Sequence, residues 1–138
     1  MYRFFFSLLI IFSFLKAEAS HVPGGNITYQ CVGPNTYVIT LSVFEDCGTA
    51  FYSNAPEIIS VSSDCVPDFN ISLTNIVFQQ ETSQICPSVI NQSECNGGTI
   101  PGIYLHQWQD TITLPLYCDS WLFYFQDCCR NSSNNLVG

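Results

Sequence analysis

From residue 36 onward the chain alternates for ten positions. Tyr37, Ile39, Leu41 and Val43 fall on one side, and Thr36, Val38, Thr40, Ser42 and Phe44 on the other. A period of two, rich in β-branched and aromatic residues, is the pattern of a strand with one buried face. It predicts a strand over residues 36–45, the clearest in the sequence. A shorter apolar stretch at 27–32 precedes it, separated by Gly33-Pro34-Asn35. Glycine tolerates positive φ and proline presets φ, so this triplet predicts a turn and the two segments a hairpin. Residues 57–62, 69–78, 103–116 and 121–126 are further β-rich segments, with a turn expected at 64–67. Pro115 places an interruption or an edge in the fifth of these segments, because it has no N–H to donate. Residues 81–98 carry Pro87, Asn91, Asn96, Gly97 and Gly98 and read as loop. No 3.6-residue period and no internal repeat is present after residue 20. Six or seven short strands without helices predict an all-β domain, a β-sandwich of Ig-like or Greek-key type.

The first residues follow a different rule. Arg3 precedes an apolar run over residues 4–15, and Lys16 precedes Ala17-Glu18-Ala19. A basic start, a short apolar stretch and a small-x-small site are the marks of a secretory signal peptide. The run is shorter than the roughly 20 residues of a membrane span. We therefore expect a signal peptide at residues 1–19 and one disulfide-bonded domain at residues 20–138, with no membrane span after cleavage.

Cleavage sharpens the charge. The complete chain has a formal net charge of −8. From residue 20 onward only Arg130 remains against ten acidic residues, a net of −9. Nucleic acid is excluded as a partner, since its phosphates would be repelled.

All eight cysteines lie beyond residue 20: Cys31, Cys47, Cys65, Cys86, Cys95, Cys118, Cys128 and Cys129. An even number in an exported chain of this length predicts a disulfide framework. The spacing suits structural zinc poorly, because no C-x-x-C occurs and His21 and His106 are isolated. Eight cysteines allow 105 pairings, so the connectivity is open. A small loop closed by a disulfide within residues 81–98 is one arrangement the spacing allows. Cys128 and Cys129 are adjacent, and neighbouring side chains of a strand face opposite ways. Separate partners are therefore expected, with Arg130 near Asp127 or Asp46.

Three blocks carry a family likeness. They are residues 20–29 (Ser-His-Val-Pro-Gly-Gly-Asn-Ile-Thr-Tyr), residues 37–47 (Tyr-Val-Ile-Thr-Leu-Ser-Val-Phe-Glu-Asp-Cys) and residues 125–131 (Phe-Gln-Asp-Cys-Cys-Arg-Asn). In this order they resemble the N-terminal domain of gliding-motility-associated, type IX secretion sorting-domain surface proteins of Bacteroidetes. The resemblance implies a module of a large adhesin-type surface protein, with further domains beyond Gly138. Two departures stand out: Glu45 occupies a position that is usually basic in that family, and Asn26 one that is often acidic or otherwise polar.

Catalytic chemistry finds little footing. There is no G-x-S-x-G, and His106 sits in a strand where a partly buried structural role is expected. An even cysteine count leaves no spare thiol for a nucleophile. No cofactor or metal is expected; the acidic composition lacks an EF-hand or a D-x-D-x-D-G loop. The expected partner is an extracellular protein or a glycan, met by an aromatic face. Core packing is expected for most of the aromatic rings; Trp108, flanked by Gln107, Gln109 and Asp110, is the best candidate for an exposed one, with Tyr104 and Trp121 as further candidates for the face. Asp110-Thr111-Ile112 resembles the O-glycosylation sequon of Bacteroidetes surface proteins, making Thr111 a candidate modification site. Asn26, Asn70, Asn91 and Asn131 begin N-x-Ser/Thr sequons, relevant in a host that glycosylates asparagine. Gly24 and Gly25 are expected to hold an unusual backbone. The sequence favours a non-catalytic surface module. A standalone secreted Cys-rich binder or inhibitor, and less so an extracellular hydrolase, are the alternatives.

Overall fold

A computed structural model describes residues 22–48 and 52–126 of the chain. Residues 1–19, expected to be a signal peptide, and His21, Cys128, Cys129 and Arg130 lie outside the described residues. The elements are β1 (Gly24–Gly33), β2 (Thr36–Asp46), β3 (Glu57–Ser62), β4 (Phe69–Glu81), β5 (Ile103–Thr113) and β6 (Leu122–Tyr124). Two short 3-10 turns, Pro87–Gln92 and Glu94–Asn96, lie between β4 and β5. The prediction of an all-β fold stapled by disulfides holds.

All the pairings between these strands are antiparallel, and the strand order is β1-β2-β5-β4-β3-β6. Strands β3, β4 and β5 form a meander, and β2 returns to lie against β5, which is a Greek-key arrangement. Strand β4 belongs to both layers. Its first half pairs with β3, from Phe69↔Val61 to Leu73↔Glu57, and its second half pairs with β5, from Thr74↔Gln109 to Glu81↔Tyr104. The sheet therefore folds over along β4 and faces itself, and its two rims are β1 and β6.

The core lies in that fold. Ile39, Leu41 and Val43 come from β2, Trp108 from β5, Ile59 from β3 and Leu73 from β4, all almost fully buried. Of the two alternating rows of β2, the one holding Tyr37, Ile39, Leu41 and Val43 faces inward, and burying each such aliphatic side chain contributes about 1.5–3 kcal/mol. The opposite row is tied laterally instead. Gln107 donates to the Ser42 hydroxyl at 3.0 Å and Gln109 to the Thr40 hydroxyl at 2.9 Å.

Two disulfides lock the connections. Cys47–Cys95 ties the end of β2 to the second 3-10 turn, and Cys65–Cys118 ties the β3–β4 turn to the segment before β6. The loop 81–98 is thus not closed on itself: Cys95 bridges to Cys47. Ser93 organises that region, accepting the Cys95 amide at 3.1 Å, while the Cβ of any residue replacing Gly102 would strike its hydroxyl and Cys95 Sγ. Cys31 and Cys86 are exposed and form no bridge with any described residue.

The backbone at Gly24 and Gly25 differs from expectation. Positive φ occurs at Asn35 (49°) in the predicted hairpin turn, at Gln79 (51°) and at Gly97 (78°), and not at this pair. Gly25 is required by space instead: a Cβ there would lie 2.8 Å from the Ser42 carbonyl oxygen. Glycine lets β1 approach β2 closely.

Candidate functional site

Directly opposed residues of an antiparallel pair share a face. Ile27 opposes Leu41, Tyr29 opposes Ile39 and Cys31 opposes Tyr37, so these three β1 residues stand on the core side of the sheet. Ile39 is fully buried, whereas Tyr29 beside it is 73% exposed. Among the described residues, the opposing layer ends between them. Its rim strand β6 has three residues against ten in β1, so β1 overhangs the core.

Between the two rims lies a cleft of about 920 Å³. Val22 and Ile27 form one wall, Phe123 and Phe125 the other, Leu41 the floor, and Tyr52 also lines it. Among the described residues, none that lines it carries a charge. Its size falls in the range of ligand sites, which are typically about 300–1,000 Å³ and apolar with a few polar groups. Here polar groups come from Asn26, Gln126, Tyr52 and Tyr124. Tyr29 extends the surface outward, meeting the ring of Tyr37 edge-on at 6.0 Å.

The aromatic face read from the sequence lies elsewhere than in this cleft. Trp108 is completely buried and donates its indole N–H to the Ala55 carbonyl at 2.8 Å, correcting the expectation of an exposed ring. Its polar flanks point to the other side of the strand, as alternation requires. Tyr104 is half-buried, and its hydroxyl donates to the Cys95 carbonyl at 2.9 Å, anchoring the disulfide turn. Trp121, also half-buried, packs edge-on to Phe69 at 6.2 Å. Thr111 is exposed on β5, next to Asp110, whose carboxylate accepts the Thr111 amide at 2.6 Å. The structure does not bring Trp108, Tyr104 and Trp121 together as one surface.

Two ionisable groups are buried, and one of them, His106, is expected from the sequence to be only partly so. His106 is inaccessible to solvent, and its Nε2 lies 2.5 Å from Glu45 Oε2, itself 1% exposed. Burial holds His106 below the ordinary histidine value, against the opposing pull of the Glu45 carboxylate and its hydrogen bond. Sequence reasoning passed over this pair. Glu45 continues the inward row of Tyr37, Ile39, Leu41 and Val43, and His106 shares parity with Trp108. Only the β2–β5 register, Val43↔His106, brings them together.

Glu81 illustrates the contrasting case at the surface. Hydrogen bonding by Ser93, then by Ser83 and Asn96, holds its carboxyl below the usual range. Asn96 donates to Oε2 at 2.8 Å and Ser83 to Oε1 at 2.9 Å. This network braces the disulfide turn.

Among the described residues, no group of three or more His, Cys, Asp or Glu is placed to hold a metal ion. No described helix is long and apolar enough to cross a membrane. Comparison of the chain with protein-family models, with curated proteins and with solved structures returns no match in any of the three.

Proposed function

We propose that this chain is a non-catalytic extracellular binding module of a bacterial cell-surface protein, acting in adhesion or gliding-associated surface structure. The observation that carries the reading is the overhang of β1: among the described residues, a disulfide-stapled scaffold leaves Tyr29 and a cleft of mixed aromatic, aliphatic and uncharged polar lining open at its rim. Two disulfides suit an oxidising compartment, in keeping with secretion or the cell surface. The resemblance of residues 20–29, 37–47 and 125–131 to gliding-associated surface proteins supplies the biological setting. Apolar and aromatic walls with a few polar groups suit an extracellular protein segment or a glycan, which meets such surfaces by stacking and hydrogen bonding.

The test uses the purified oxidised protein on an array of polysaccharides and extracellular glycoproteins, beside Phe125→Ala and Tyr29→Ala. Binding that falls tenfold or more in either variant, with an unchanged thermal midpoint, supports the reading. Wild-type protein that binds nothing on the array, or binding indifferent to both substitutions, counts against it.

A further inference from the structure

Glu45 and His106 reach the interior from neighbouring strands on the inward side of the sheet. Rings close around the imidazole. Trp108 stacks on it at 5.9 Å and 17°, Phe78 meets it at 5.1 Å, Tyr52 at 5.6 Å and Tyr104 at 6.5 Å. Phe78 reaches it through an irregularity of β4, where the register with β5 shifts between Val77 and Gln80 and Gln79 adopts φ 51°. Such a bulge re-aims a strand's side chains.

The ionisable groups around the imidazole are few. Glu45 comes from β2, Tyr104 from β5 and Tyr52 from the segment before β3. From β4, Phe78 adds no charge, and Glu81, opposite Tyr104 in register, is engaged by Ser83 and Asn96. With Nε2 turned to Glu45, the second ring nitrogen, Nδ1, is buried without a hydrogen-bond partner among the described residues. An imidazolium carries N–H on both nitrogens. Protonation would therefore leave an unsatisfied donor among aromatic rings, which is costly in a dry interior.

We propose that the Glu45–His106 pair is a buried proton sensor, which on acidification loosens the end of the core beneath Tyr52 and thereby the wall of the cleft. The link to the cleft is direct: Tyr52 and Val43 line it, Tyr52 packs on the His106 ring, and Val43 is the cross-strand partner of His106. Regulation of ligand binding rests on reading the cleft as the binding site, whereas the sensor itself does not.

The direction follows from linkage. Folded His106 titrates below the ordinary value of 6.5, chiefly because of burial. Between its folded value and 6.5 the unfolded chain binds the proton that the folded chain refuses. The stabilisation is complete above about pH 6.5 and is lost as pH falls through that window.

The experiment follows the whole purified chain carrying His21→Gln, so that His106 is its only histidine, with ¹⁵N-labelled imidazole. The ring should titrate below 6.5. Over the same window the thermal midpoint should fall, and the protection factors of the amides of Val43, Glu45 and residues 104–108, which remove the intrinsic pH dependence of exchange, should fall by up to roughly tenfold per pH unit. A Glu45→Gln/His106→Phe variant should show no such dependence between about pH 7 and 5. A ring that titrates at the ordinary value, or that takes its proton without loss of amide protection, overturns the proposal. So does a double variant that keeps the wild-type slope. Should that variant fail to fold, the titration and exchange of His106 decide alone. No arm uses a ligand, so failure of the sensor is distinguishable from failure of the binding reading.

Discussion

Strands β2 and β1 form one hairpin from similarly β-rich sequence, yet one is the best-buried strand of the molecule and the other among the most exposed. β2 pairs on both sides, with β1 and with β5 through eleven cross-strand positions, and faces the second layer with Ile39, Leu41 and Val43. β1 pairs with β2, and its core-side row runs past the three-residue β6 into the open. The difference teaches that alternation decides which way a side chain points, while the length of the opposing strand decides whether anything meets it there.

Substitutions along the two regions should separate accordingly. The largest effect is expected at the centre: Trp108→Ala removes a fully buried ring and its bond to Ala55, and should cost about 3–5 kcal/mol in urea or guanidinium unfolding. A cost below about 1 kcal/mol would place the core elsewhere. Next come the staples. Replacing Cys65 and Cys118 by serine should cost about 2–4 kcal/mol and loosen β6, and peptide mapping of unreduced protein should recover Cys47–Cys95 and Cys65–Cys118. Recovery of Cys86–Cys95 instead would undo the assignment. Gly25→Val should cost about 1–3 kcal/mol by crowding the Ser42 carbonyl, a clash of backbone approach that is independent of burial. The smallest effect belongs to the overhang: Tyr29→Ser should stay within about 0.5 kcal/mol. A larger loss would mean that Tyr29 supports the fold and that β1 does not overhang it.

Much of the architecture was legible in the chain. Residues 57–62 were read as a strand with the bounds that the structure gives, and the hairpin turn sits at Pro34-Asn35. Local alternation and turn chemistry suffice there, because both act over a few residues. The misreadings share one cause. Trp108 was judged by its sequence neighbours, and in a strand those neighbours face the other way. Gln107 and Gln109 hold Ser42 and Thr40 on the outside and leave Trp108 inside. The cleft and the Glu45–His106 pair depend on which strands adjoin and in what register, and on how far β6 extends. Those are long-range quantities that no window of residues contains. The pairing of Cys47 with Cys95 is of the same kind: the spacing leaves the connectivity open, with a loop closed between Cys86 and Cys95 among the allowed arrangements, and the place of the second 3-10 turn beside the end of β2 decides it.

The interleaved bridges also set how the molecule would carry mechanical load. A pull applied through the strands at the two rims reaches Cys47 on one side and Cys118 on the other. Between these points the covalent network offers two parallel routes. One runs along β3 to Cys65 and across to Cys118; the other crosses to Cys95 and runs along β5. β4 lies on neither route, since it joins Cys65 to Cys95 as a cross-member. Tension is shared by the strands on either side of β4, and stretching cannot reel out the long excursion from Cys47 to Cys118 at full length. For a module held at a surface, that is a built-in limit on extension.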